Sequence, residues 1–250
     1  MSERHTATTE TNGRTTTDDP DADAARAVIL VSGGMDSATA VYEAMDRGYE
    51  PYFLHTSYGQ RTADRERDCA EELAEAVGAA DFCHVETSHL AAIGESSLTD
   101  DDIAVEDAAL ESEEIPTSYV PFRNANLLSM AVSYAEATDC SAVFIGAHSE
   151  DFSGYPDCRP EFFEAFQGVI DTGTKPETEI ELIAPFAAAS KTDIVERGLE
   201  LGVPYESTWS CYRNAEPACG TCDACGFRLQ AFQSAGVRDP IEYAERPDYQ

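Results

Sequence analysis

The chain reads as a doubly wound, mostly parallel α/β sheet with a small four-cysteine appendage at its C-terminal end. Three observations predict this. Apolar runs of strand length alternate with helical stretches, a glycine-rich turn joins the first run to the first helix, and four of the eight cysteines crowd into fifteen residues. At 250 residues and 42% hydrophobic content, the chain can bury one large core.

Residues 1–24 hold seven threonines, several acidic side chains and no apolar period, and are expected to form a disordered extension. Val28-Ile29-Leu30-Val31 is a continuous apolar run, the pattern of a strand covered on both faces. A glycine turn follows, then a helix predicted from Ser37 to Arg47 and stopped by Gly48. Tyr52 to His55 reads as the second strand, 62–77 as the second helix ending at Gly78, and Phe82 to Val85 as the third strand. Residues 95–114 carry nine acidic side chains and no basic one, and are expected to be a solvated loop or lid. Asn124 to Ala137 reads as a helix, Ala142 to Gly146 as a buried strand, Glu161 to Ile170 as a helix and Ile180 to Ala184 as a short strand. Ser190 caps a helix running to Leu201, closed by Gly202 and Pro204. The chain thus divides into the extension 1–24, an α/β domain over 25–205, a helical appendage over 206–236 and a tail over 237–250.

Charge excludes whole classes of partner. Sixteen basic against 48 acidic residues leave a net charge of −32. Such a surface repels polyphosphates, so no direct nucleic-acid partner is expected, and anionic membranes are equally disfavoured. No apolar run approaches the roughly 18 residues that cross a bilayer. The polar N-terminus lacks a signal-peptide core, so the expected location is the cytoplasm. Only Lys175 and Lys191 are lysines, which with the acidic excess suggests a proteome adapted to high salt.

The turn Val31-Ser32-Gly33-Gly34-Met35-Asp36-Ser37 lies where an open α/β sheet binds ligands, beyond the carboxyl end of a strand. Its glycines allow backbone N–H groups to converge on an anion, and the helix N-terminus and the Ser32 and Ser37 hydroxyls add to that. Asp36 would repel a bare phosphate, so it implies Mg²⁺ between them or an orienting role. The Walker lysine is absent. Separately, Cys211-x7-Cys219-x2-Cys222-x2-Cys225 offers four thiolates to one ion. Zn²⁺ suits four sulfurs at tetrahedral angles, and a closed sulfur shell points to a structural ion. An iron–sulfur cluster is the rival occupant.

The Ser32 to Ser37 turn resembles the PP-loop signature S-G-G-x-D-S of the ATP pyrophosphatase superfamily. With Tyr58-Gly59-Gln60-Arg61, Val120 to Asn124, Ser153 to Pro160 and Thr208 to Tyr212, the chain resembles the 7-cyano-7-deazaguanine synthase family over roughly 27–235. The resemblance implies ATP-dependent conversion of 7-carboxy-7-deazaguanine and ammonia to the nitrile, a step toward queuosine or archaeosine. Adenylation of the acid, displacement of AMP by ammonia, and a second adenylation of the amide oxygen accomplish it.

On that resemblance, Leu30, Val31, Ser32, Gly33, Gly34, Met35, Asp36, Ser37 and Ala38 form the nucleotide-binding stretch. Asp36, Lys191 and Arg123 are the expected catalytic residues: Lys191 meets phosphate charge, and Arg123 clamps phosphate or the substrate carboxylate. A solvated helix cap and a surface ion pair are the plain alternatives for these two. Tyr155, Asp157 and Arg159 are expected at the substrate, the tyrosine stacking and the carboxylate meeting the amidine edge of the base. Cys158 is expected to be an inert buried thiol, and His55 and His148 hydrogen-bonded core residues. The expected partners are these small molecules and, by analogy, a second copy of the chain in a homodimer. A tRNA-thiolating or other amide-forming member of the superfamily is the competing reading.

Overall fold

A computed structural model describes residues 24–112, 114–149 and 155–249; the expected disorder of 1–24 falls almost wholly outside them. Five strands form one sheet: β1 (Arg26–Leu30), β2 (Glu50–Ser57), β3 (Asp81–Glu86), β4 (Ala142–Phe144) and β5 (Glu181–Ile183), in the order β3-β2-β1-β4-β5 and all parallel. The helices are α1 (Met35–Asp46), α2 (Ala63–Val77), α3 (His89–Ile93), α4 (Arg123–Ala137), α5 (Pro160–Gly173), α6 (Lys191–Leu201) and α7 (Asp223–Ser234). The doubly wound prediction holds.

The unbroken apolar run of β1 follows from its central place. Ile29 is paired with Phe53 on one side and Phe144 on the other. Ala27, Ile29 and Val31 face α1, α2, α6 and α7 through Val41, Leu73, Val195 and Phe232. Val28 and Leu30 face α4 and α5 through Leu128, Ala131 and Phe163. With helices on both faces, Ala27 to Leu30 are all buried, and the polar Arg26 stands at the partly exposed start of the strand. Strand order reverses between β1 and β4, which opens a crevice at their carboxyl ends.

Three stretches differ from the sequence expectation. β4 ends at Phe144, two residues early, although Ile145 N–H still donates to Ile183 O at 3.0 Å; Gly146 then passes against the first turn of α1, where a Cβ would lie 2.9 Å from the Asp36 backbone. The short helix α3 carries no apolar period and was not expected. The acidic segment after it exposes most of its carboxylates, yet its backbone is strapped down. The Arg61 guanidinium donates to the carbonyls of Ser97, Asp100 and Ile103 at 2.7, 2.7 and 2.9 Å, and Ala108 N–H donates to Thr221 O. The tail also folds back: Asp239 forms a fully buried pair with Arg228 of α7, and Tyr249 Oη donates to Gly220 O.

Candidate active site and metal centre

The Ser32–Ser37 turn is held from three directions. Gly33 sits at φ +82°, and a Cβ there would fall 2.2 Å from the Glu66 carbonyl, so α2 presses directly on the turn. The Gly33 carbonyl accepts from Trp209 N–H at 2.8 Å, and Ser37 Oγ donates to Gly34 O at 3.0 Å while lying 3.1 Å from Ser32 Oγ. Gly34 caps α1 with no side chain on the first-turn amides, which remain as donors for an anion.

At the mouth of this loop, Lys191 Nζ lies 3.1 Å from Asp36 Oδ2 and 3.1 Å from His148 Nε2. The three side chains come from the first turn of α1, the segment after β4 and the start of α6, whose Ser190–Asp193 capping box fixes the lysine's base. Lys191 is buried, so it is not a solvated cap. Burial pushes the Asp36 carboxyl up, but the Lys191 ammonium and His148 outweigh it and hold the group below the usual carboxylate range. Asp36 Oδ1 is buried without a hydrogen-bond partner, as a hard oxygen ligand to a divalent cation would be.

Leu30, Leu54 and Ile145 line the cleft together with this triad, and Tyr58, Gln60, Glu66, Arg123, Tyr155 and Tyr212 give it a second set of polar groups. Arg123 Nη1 donates to Tyr58 Oη at 3.0 Å and sits over that ring, so its partner is an aromatic wall rather than a surface carboxylate. Tyr155 lines the cleft with its hydroxyl 3.0 Å from Ser118 Oγ.

Other expected residues stand elsewhere. Met35 and Ala38 are fully buried on the inner face of α1, contributing packing. Asp157 does not line the cleft; its Oδ2 accepts from Asn124 N–H at 2.8 Å, where a carboxylate complements the N-terminus of α4. Arg159 is exposed at the start of α5, outside the cleft. Neither Asp157 nor Arg159, both expected at the base, is among the described residues that line the cleft. Cys158 is buried and accepts from Asn124 Nδ2, and His55 is buried with Nδ1 2.8 Å from Val31 O, burial driving its pKa to about 4. Sequence reasoning passed over Gly146 and Glu66. The signal for Gly146 was its place just beyond a strand on the crevice side; for Glu66 it was the turn after β2, quoted only as part of a resemblance.

The four cysteine sulfurs lie within 4.8 Å of one another, all buried, with Cys219 Sγ and Cys225 Sγ 3.8 Å apart. Tetrahedral Zn–S bonds of about 2.3 Å give S···S edges of about 3.8 Å, so the cage fits that ion. Backbone N–H groups of Asn214 and Cys219 donate to Cys211 Sγ, and those of Thr221 and Cys222 to Cys219 Sγ, an arrangement that favours thiolates. Cys222 caps α7 and Cys225 lies in its first turn. The Cys211 carbonyl lies 3.3 Å from Thr62 Oγ1, a cleft residue, so the cage and the cleft share one wall.

Among the described residues no helix is long and apolar enough to cross a membrane. The model of the QueC family, described as queuosine biosynthesis protein QueC, matches residues 26–236. Proteins named 7-cyano-7-deazaguanine synthase are similar in sequence. That of Haloarcula marismortui is 75% identical over 91% of this chain and 98% of its own. That of Halobacterium salinarum is 72% identical over 90% and 99%, and that of Methanoculleus marisnigri 55% over 87% and 98%. The first two come from salt-loving archaea, as the composition suggested.

Proposed function

The chain belongs to the QueC family of queuosine biosynthesis proteins, and from that premise we propose that it is an ATP-dependent ligase making 7-cyano-7-deazaguanine from 7-carboxy-7-deazaguanine and ammonia. The observation that carries the reading is the Asp36–Lys191–His148 cluster at the mouth of an uncapped helix N-terminus: a site for leaving pyrophosphate, with one carboxylate oxygen kept for a cation.

A carboxylate is a poor acceptor of ammonia, so its oxygen first attacks the α-phosphorus of ATP. Pyrophosphate leaves into the phosphate loop, where the first-turn amides and Ser32 and Ser37 receive its charge. Ammonia adds to the acyl carbon, AMP departs and a proton is released, giving the amide. The amide oxygen then attacks a second ATP; loss of AMP and the nitrogen's protons leaves the nitrile, so both steps use one phosphate site. Lys191 meets charge building on the phosphoryl oxygens, and Arg123 orients the substrate carboxylate bidentately. Mg²⁺ held through Asp36 Oδ1 would neutralise phosphate charge. Structural Zn²⁺ in the cysteine cage would order the 206–236 appendage beside the 25–205 nucleotide-binding domain. The net charge of −32 speaks against the tRNA-thiolating alternative.

Incubation with ATP, ammonium and the carboxy-deazaguanine, followed by mass spectrometry, is expected to yield the nitrile with two AMP and two pyrophosphate per product. ADP in place of AMP, or no nitrile, overturns the reading.

A further inference from the structure

We propose that Glu66 reads the amino-pyrimidinone edge of the base, an assignment that rests on the substrate reading above. Guanine-type bases present two adjacent donors on that edge, the ring N1–H and the exocyclic amino group. An ionised carboxylate is the side chain that accepts both at once. Among the described residues lining the cleft, the carboxylates are Asp36 and Glu66. Asp36 is engaged with Lys191 at the phosphate end, and Asp157 is turned to the N-terminus of α4. Glu66 is left.

Its setting suits the task. Glu66 stands in the first turns of α2, and each oxygen already accepts one hydrogen bond, Oε1 from Thr62 Oγ1 at 2.7 Å and Oε2 from Gln60 Nε2 at 3.1 Å. A carboxylate offers about four lone-pair directions, so one on each oxygen remains for a ligand. Gln60 is itself fixed, its Oε1 accepting from Tyr58 N–H at 2.8 Å, and Thr62 is buried with its Oγ1 3.3 Å from Cys211 O. The carboxylate is thus oriented before any ligand arrives. No ion pair neutralises it among the described residues; its direct partners are neutral donors, and burial pushes its pKa above the usual range. A ligand N–H pair would stabilise the charged form. Arg123, on the same stretch of the cleft, can hold the acid group of the same molecule, and Tyr58, Tyr155 and Tyr212 supply aromatic walls for a flat ring.

The test compares 7-carboxy-7-deazaguanine with its 2-desamino counterpart, in wild type and Glu66→Gln, by pyrophosphate release. A hydrogen bond to a charged group is worth about 10- to 150-fold, so the wild type is expected to prefer the amino base by about 10²-fold. Glu66→Gln turns a donor toward a donor. It is expected to lose about 10²-fold in kcat/KM for the amino base, to bring the two bases within about 3-fold, and to leave the KM for ATP unchanged. A variant that keeps the wild-type preference, or whose loss falls on the KM for ammonium, overturns the assignment. If Glu66→Gln does not fold, Glu66→Asp keeps the charge and is expected to keep the preference at weaker affinity; an Asp variant that loses it counts equally against the proposal. Wild-type protein releasing no pyrophosphate with either base removes the substrate reading itself, and the Glu66 assignment with it.

Discussion

Replacing Lys191 with methionine deletes the ammonium 3.1 Å from Asp36 Oδ2 while keeping the length of the side chain. At that distance and an effective dielectric of about 20, the gross attraction is about 5 kcal/mol. Both groups lose hydration in the pair, and the Asp36 side chain keeps 23% of its exposure. The net cost of stranding the carboxylate is therefore smaller, about 2–3 kcal/mol of folding stability at neutral pH. Its pH dependence identifies the cause. In the wild type the folded pKa of Asp36 lies below its ordinary value of 3.8. The ionised group thus contributes stability that is present above pH about 4 and lost as pH falls through the folded pKa. Without the lysine, burial dominates and raises the folded pKa, so the variant gains back stability as pH falls toward that raised value. Urea unfolding in molar KCl is expected to show the deficit at pH 7.5 and a smaller one at pH 5. Turnover with ATP is expected to fall by about 10²–10³-fold, the effect of removing one group that meets developing charge. An equal deficit at both pH values would refute the reasoning, because a loss of packing alone has no such dependence.

Two further outcomes follow from features away from the triad. Cys222→Ser should lower bound metal below one ion per chain and loosen 206–236, read by elemental analysis and by a red shift of Trp209, the single tryptophan, which is buried beside the cage. Iron rather than zinc in the wild type would replace the ion while leaving the site in place. Raising KCl from millimolar to molar should raise the melting temperature, since screening relieves the self-repulsion of a net charge of −32; a melting temperature unmoved by salt would dissociate composition from stability.

Much of the fold was legible because β1 and the helices on either face carry unambiguous periods, and because Gly33-Gly34 and the cysteine spacing are local patterns. The glycine-turn side of the cleft was legible for the same reason. Its second set of polar groups was not. Asp157 and Glu66 are both acidic residues near a motif, and only the direction of each side chain separates a helix cap from a cleft wall. That direction is set by contacts far along the chain, such as Asn124 N–H for Asp157 and Thr62 braced on Cys211 for Glu66. The acidic segment misled in a related way. Its composition announces solvent, while the arginine and appendage contacts that tether its backbone come from residues far outside it.

The stretch Thr208 to Cys211 gives its Trp209 amide to the Gly33 carbonyl and its Cys211 sulfur to the cage, two bonds apart by only two residues. Sheet and appendage are consequently not separable parts. A chain cut before Thr208 would keep every residue of the glycine turn and lose the brace that closes it, so trimming the protein to its sheet would yield a nucleotide fold with a slack grip.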